Sequence, residues 1–230
     1  MRLPKPNMGT DLLLEIARWH LAALRQVAET AELAEAFDPV VAELRAAGQE
    51  VRAAQDGMQG PQIALLLAEI ETEKPIRRIA SACGVIDGGK AGPTFKALFP
   101  KGLGAVVQPI SQRQVDEGEG LMKRAEARKL LRHEQLAPHF AELRTNLERM
   151  KATLGQRAEA HAAVARARAA EMMAREDLCR AYAKHVGPIW QLYPQDRQMR
   201  ELFFMPWGIQ ARSEEVEDEP PASGTVPPPA

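Results

Sequence analysis

The apolar positions in the first fifty residues fall on a single seam. Leu13, Ile16, His20, Ala23, Val27, Thr30, Ala34, Phe37, Val41, Leu44, Gly48 and Val51 follow one another in steps of three and four without a slip. Such steps keep side chains on one face of an α-helix, as in a heptad seam. Thr10 or Asp11 suits the N-cap, and Asp56-Gly57 suits a stop. Pro39 lies inside the run, where proline removes a hydrogen bond and clashes with the carbonyl four residues back. The pattern therefore predicts either one long helix kinked near Glu35–Pro39 or two helices divided at Asp38.

Gly57–Gly60 reads as a turn, with Pro61 at a first helical position. Ile63, Leu66 and Ile70 supply the next apolar face; Pro75 interrupts it, and Ile76, Ile79 and Cys83 resume it. Gly84–Gly92 reads as a glycine-rich loop, followed by a short helix from Pro93 or Thr94 through Leu98. A second long seam runs Leu136, Phe140, Leu143, Leu147, Met150, Leu154, and Gly155 suggests the turn after it. A further helix over 157–186 is rich in alanine, which lets helices approach closely while burying little area. Gly187-Pro188 bends the chain into an aromatic segment. Beyond residue 211 the text is acidic and proline-rich, with almost nothing to bury, and reads as a disordered tail over 212–230.

Two phrases recur. Phe95-Lys-Ala-Leu-Phe-Pro-Lys-Gly-Leu103 resembles Met199-Arg-Glu-Leu-Phe-Phe-Met-Pro-Trp-Gly-Ile209, and Pro39-Val-Val-Ala-Glu-Leu-Arg45 returns as Pro138-His-Phe-Ala-Glu-Leu-Arg144. Similar phrases in the same order, at nearly matched offsets, suggest a duplicated helical hairpin followed by a Pro-x-Gly corner. The expected fold is all-α: an antiparallel four-helix bundle of long helices from two pseudo-repeated hairpins, with short helical caps. Residues 1–9 form an arm, 10–109 one half and 110–211 the second half, the two packed as one domain.

Composition narrows the chemistry. Lys+Arg is 30 and Asp+Glu 31 in 230 residues, so the basic excess usual in nucleic-acid binders is missing. No apolar run approaches the roughly 20 residues needed to span a bilayer. The opening segment is broken by Asp11, Glu15 and Arg18 and does not read as a secretion signal. Two cysteines, Cys83 and Cys179, make no disulfide framework, and a reduced, cytoplasmic setting is expected.

Gly84-Val-Ile-Asp-Gly88-Gly89-Lys90-Ala91 almost spells a phosphate-binding loop. In such loops backbone N–H groups cradle phosphates, Lys reaches the outer phosphates and Ser or Thr holds magnesium. Ala91 stands where the ion-binding hydroxyl should be, and no strand precedes the glycines. None of the five histidines has Glu three residues before it, and HExxH is absent, so no metal site is expected. His20 falls on the first seam and reads as a core histidine. Glu29, Glu32, Glu35 and Asp38 make an acidic stripe, and Arg124, Arg128 and Arg132 a basic one; both read as solvated faces.

The expected function is a non-catalytic helical scaffold or protein-interaction protein that self-associates and uses no cofactor. Trp190, Tyr193, Phe203, Phe204 and Trp207 are the candidate partner-binding residues, since clustered aromatics suit docking surfaces. The alternative is a small-molecule or nucleotide sensor using Gly84, Gly88, Gly89 and Lys90. Neither nucleic acid nor a membrane is an expected partner.

Overall fold

The computed structural model describes residues 3–89 and 91–206. Lys90, Trp207 and the segment expected to form a tail therefore lie outside the described residues. The protein is all-α. Its helices are α1 (Thr10–Gln26), α2 (Ala31–Gly57), α3 (Gln59–Ile86), α4 (Pro93–Leu98), α5 (Gly104–Val107), α6 (Gln112–Ala127), α7 (Ala137–Lys184), α8 (Val186–Leu192) and α9 (Arg197–Leu202). Single 3-10 turns cover Ala28–Thr30 and Leu130–Arg132. Among the described residues no helix is long and apolar enough to cross a membrane.

The chain divides into two compact units: a terminal unit from Met1–Glu50 with Arg168–Ala230, and a central unit, Val51–Ala167. α7 supplies residues up to Ala167 to the central unit and the remainder to the terminal one. The boundary expected between residues 109 and 110 falls inside the central unit. Its core takes Ile79, Leu98 and Val106 from one side of that point, and Leu121, Phe140 and Leu143 from the other.

Helix boundaries depart from the expected ones in four places. The first seam breaks at Val27, which is extended (φ −117°, ψ 118°), and does not divide at Asp38, because Pro39 lies within α2. The buried Thr30 hydroxyl donates to the carbonyls of Leu24 (2.7 Å) and Val27 (3.0 Å). It thereby satisfies acceptors left open where α1 ends. The 3-10 turn keeps the seam in phase, so Thr30, Ala34 and Phe37 remain buried beside His20 and Ala23.

The turn expected at Gly57–Gly60 is only a one-residue irregularity. Met58 keeps right-handed helical angles (φ −76°, ψ −23°), and Gln62 N–H donates to its carbonyl at 3.2 Å. Pro75 lies within α3. Gly155 is no turn, because α7 runs through it for 48 residues. The two hairpin turns of the expected bundle are thus absent: α7 joins the Leu136–Leu154 seam to the alanine-rich segment, while residues 112–127, expected as the start of the third long helix, form the separate helix α6.

The terminal unit's core joins α1 (Leu13, Ile16, Leu24), α2 (Phe37, Val41, Leu44), the end of α7 (Leu178, Tyr182), Ile189 and Phe203. A half-buried polar knot adds to it. Thr10 donates to Glu171, Arg175 Nε donates to the Thr10 hydroxyl at 2.8 Å, and Arg175 pairs with Glu171 at 3.0 Å.

Candidate functional site

The most organised polar group lies deep in the terminal unit. His20 of α1 is fully buried, and His185, just beyond α7, is nearly so. His20 Nδ1 lies 2.7 Å from the Phe203 carbonyl, and His20 Nε2 lies 2.9 Å from His185 Nδ1. A carbonyl only accepts, so Nδ1 of His20 carries the proton. Neutral His20 then accepts at Nε2 from the Nδ1–H of His185. Aromatic rings wrap the pair: Phe37 stands edge-on to both imidazoles, Tyr182 lies 4.3 Å from His20 between ring centres, and Phe204 stacks at 5.5 Å.

This setting disfavours charge. Burial lowers His20 to a pKa of about 4, with the hydrogen bond to Phe203 opposing the shift and the charge of His185 adding to it. His185 is also lowered, by burial. Burial pushes the Tyr182 phenol up. Its hydroxyl makes no well-formed hydrogen bond among the described residues. At neutral pH the two histidines are a neutral relay tying α1, the end of α7 and the segment after α9 together. The expectation of a core histidine at position 20 holds.

The predicted aromatic docking residues separate. Phe203 and Phe204 are buried in the terminal unit's own core, so they cannot also serve as docking side chains. Tyr193 is partly buried against that core and stacks on Phe203 at 6.0 Å. Trp190 is half exposed, with the Arg200 guanidinium 4.8 Å over its ring. Trp19, on α1, is also exposed and donates its indole N–H to the Leu202 carbonyl at 3.0 Å.

The glycine-rich segment is shorter than expected, because Gly84 lies inside α3. Gly88 takes a positive φ of 67°, and Gly89 N–H donates to the Gly84 carbonyl at 2.9 Å. That is the geometry of a helix C-terminal cap, in which glycine is favoured. Both oxygens of Asp87 accept backbone N–H groups at the start of α4, from Thr94 and Phe95, at 3.0 Å each. The N–H groups at the start of α4 thus already hold a carboxylate. Burial alone would raise Asp87, but the Phe95 and Thr94 hydrogen bonds hold it below the usual carboxylate range.

Neither cysteine is activated. Burial first, and then the Asp87 charge, push Cys83 up to about 11, and burial raises Cys179. Among the described residues no cluster of three or more His, Cys, Asp or Glu could hold a metal ion. The basic stripe is not one helix face: α6 ends at Ala127, and Arg124 Nε donates to the Leu98 carbonyl at 2.7 Å. In the acidic stripe, Asp38 pairs with Arg25 at 3.0 Å.

The surface of α3 holds the least expected feature. Ile63, Leu66, Leu67 and Ile70 are exposed by 65, 54, 45 and 56 %. The core face of α3 is formed instead by Leu65, Ala68, Thr72, Ile76 and Ile79. Leu65 and Ala68 pack with Val115 and Met150, and the Thr72 hydroxyl donates to the Ala68 carbonyl at 2.7 Å. The expectation that Ile63, Leu66 and Ile70 line the core is therefore corrected.

No protein-family model, curated protein or solved structure matches this chain.

Two of these features escaped the sequence for different reasons. His185 is 165 positions from its partner, and the available signal was that it lies three residues beyond Tyr182 on the inward face of α7. α3 carries two interleaved stripes with helical spacing, and the more apolar one, Ile63, Leu66 and Ile70, is the one that faces outward.

Proposed function

We propose that this chain is a non-catalytic helical scaffold that works through helix surfaces, associates with itself and occupies a reduced, cytoplasmic setting. The observation that carries this reading is the exposed aliphatic face of α3. Contiguous apolar surface of this kind on a lone chain usually marks an interaction site. The organised polar groups also favour structural work. The histidine relay is buried and neutral, the Thr10–Glu171–Arg175 knot ties α1 to α7, and the thiols are held in their unreactive form.

The duplication remains part of this proposal in reduced form. Each unit contains one Leu-Phe phrase at the end of a short helix, and both Phe99 and Phe203 are core residues. The sensor reading at Gly84–Gly92 is weakened by the Asp87 carboxylate already seated at the start of α4.

Light scattering on the full chain across the micromolar range tests the proposal. A mass that rises with concentration is the expected result, together with no magnesium-dependent heat on titration with a nucleoside triphosphate. A strictly monomeric chain that binds nucleotide would replace scaffold with sensor.

A further inference from the structure

The stripe on α3 continues beyond its aliphatic centre. With steps of three and four, and Leu67 beside Leu66, it runs from Asp56 in the last turn of α2 across Met58 to Gln59, Ile63, Leu66, Ile70, Lys74 and Arg77. At ~1.5 Å per residue it is about 30 Å long. Its apolar middle is bounded by an acidic end at Asp56 and a basic end at Lys74 and Arg77, and all three of these charged residues are exposed. Glu73 pairs with Arg77 at 3.1 Å. The neighbouring polar groups on the core side are already engaged: Glu69 accepts from the Ser111 backbone at 2.8 Å, and Glu71 is paired with Arg149.

We infer that a second copy of this chain covers the stripe, α3 against α3 in antiparallel register, about a two-fold axis passing between Leu66 and Leu67. The inference rests on the self-association proposed above and names its surface. About that axis, Leu66 of one copy meets Leu67 of the other, and Ile63 meets Ile70. Gln59 meets Lys74, and Asp56 meets Arg77. Each contact occurs twice, because a two-fold interface uses the same patch on both copies. No like charges face one another along this register. A parallel pairing would set Asp56 against Asp56, Lys74 against Lys74 and Arg77 against Arg77, which is unfavourable. Charge order along the stripe therefore selects both the occupant and its direction, while the aliphatic centre supplies the buried area.

Charge reversal tests the register without disturbing the fold, since Asp56 and Arg77 are exposed. Sedimentation equilibrium at low ionic strength compares the wild type, Asp56→Arg, Arg77→Asp and the double variant. Each single reversal places two like-charge contacts in the interface and is expected to weaken association about tenfold. The double reversal restores opposite charges and is expected to recover association to within a few-fold of wild type. If the wild type associates and the single reversals leave it unchanged, or the double variant stays as weak as the singles, the antiparallel α3 pairing is wrong while the self-association reading stands. A wild-type chain that remains monomeric throughout overturns both.

Discussion

His20 and His185 show how much a buried pair depends on protonation. Both are held below the ordinary histidine range in the folded chain, His20 to about 4. Between that value and the unfolded value of about 6.5 the unfolded chain binds more protons, so stability rises with pH across this window. The contribution of the pair is fully present above about pH 6.5 and is lost as pH falls towards 4. The expected result is a melting temperature that drops between pH 6.5 and 4 in the wild type. In His20→Phe the drop should be shallower, on top of a neutral-pH loss of about 1–3 kcal/mol from leaving the Phe203 carbonyl and His185 unpartnered. Parallel pH profiles for the two proteins would show that His20 does not carry the effect. His20 was legible in the sequence because its seam position told its burial. His185 was not, since a partner 165 positions away leaves no local pattern.

Regular apolar spacing marks the buried faces of the two long seams, but helix ends do not follow from it or from glycine and proline. The seam residues Leu136, Phe140, Leu143, Leu147 and Met150 are all buried. Gly155 nonetheless continues α7, because a glycine costs a helix only about 1 kcal/mol and packing on both sides outweighs it. Pro39 and Pro75 are tolerated inside long helices for the same reason, whereas the real break at Val27 carries neither residue. Since Gly155 is helical, exposed and has open space where a Cβ would stand, Gly155→Ala is expected to raise stability by about 0.5–1 kcal/mol in denaturant unfolding. A destabilised variant would mean that the chain turns at this glycine after all. α3 defeated the sequence reading differently. Leu65, Ala68 and Thr72 recur with the same helical spacing as Ile63, Leu66 and Ile70, so periodicity alone could not say which stripe is core.

For the chain as a whole, a net charge of −1 over 230 residues means that two copies repel each other weakly. An apolar face can then associate without first overcoming a large like-charge field. The central claim is that α3 is apolar on two sides, one facing the core and the other a second copy. The most direct measurement is sedimentation equilibrium of Leu66→Glu beside the wild type, with thermal melting of each at a concentration where both are monomeric. Leu66 is 54 % exposed, so the substitution should change monomer stability by no more than about 0.5 kcal/mol. The account predicts that wild type approaches twice the mass of one chain as concentration rises, whereas Leu66→Glu stays at the mass of one chain and melts with the wild-type monomer. It would be contradicted by a variant that associates like the wild type, or by one that loses several kcal/mol of stability, as a core leucine would.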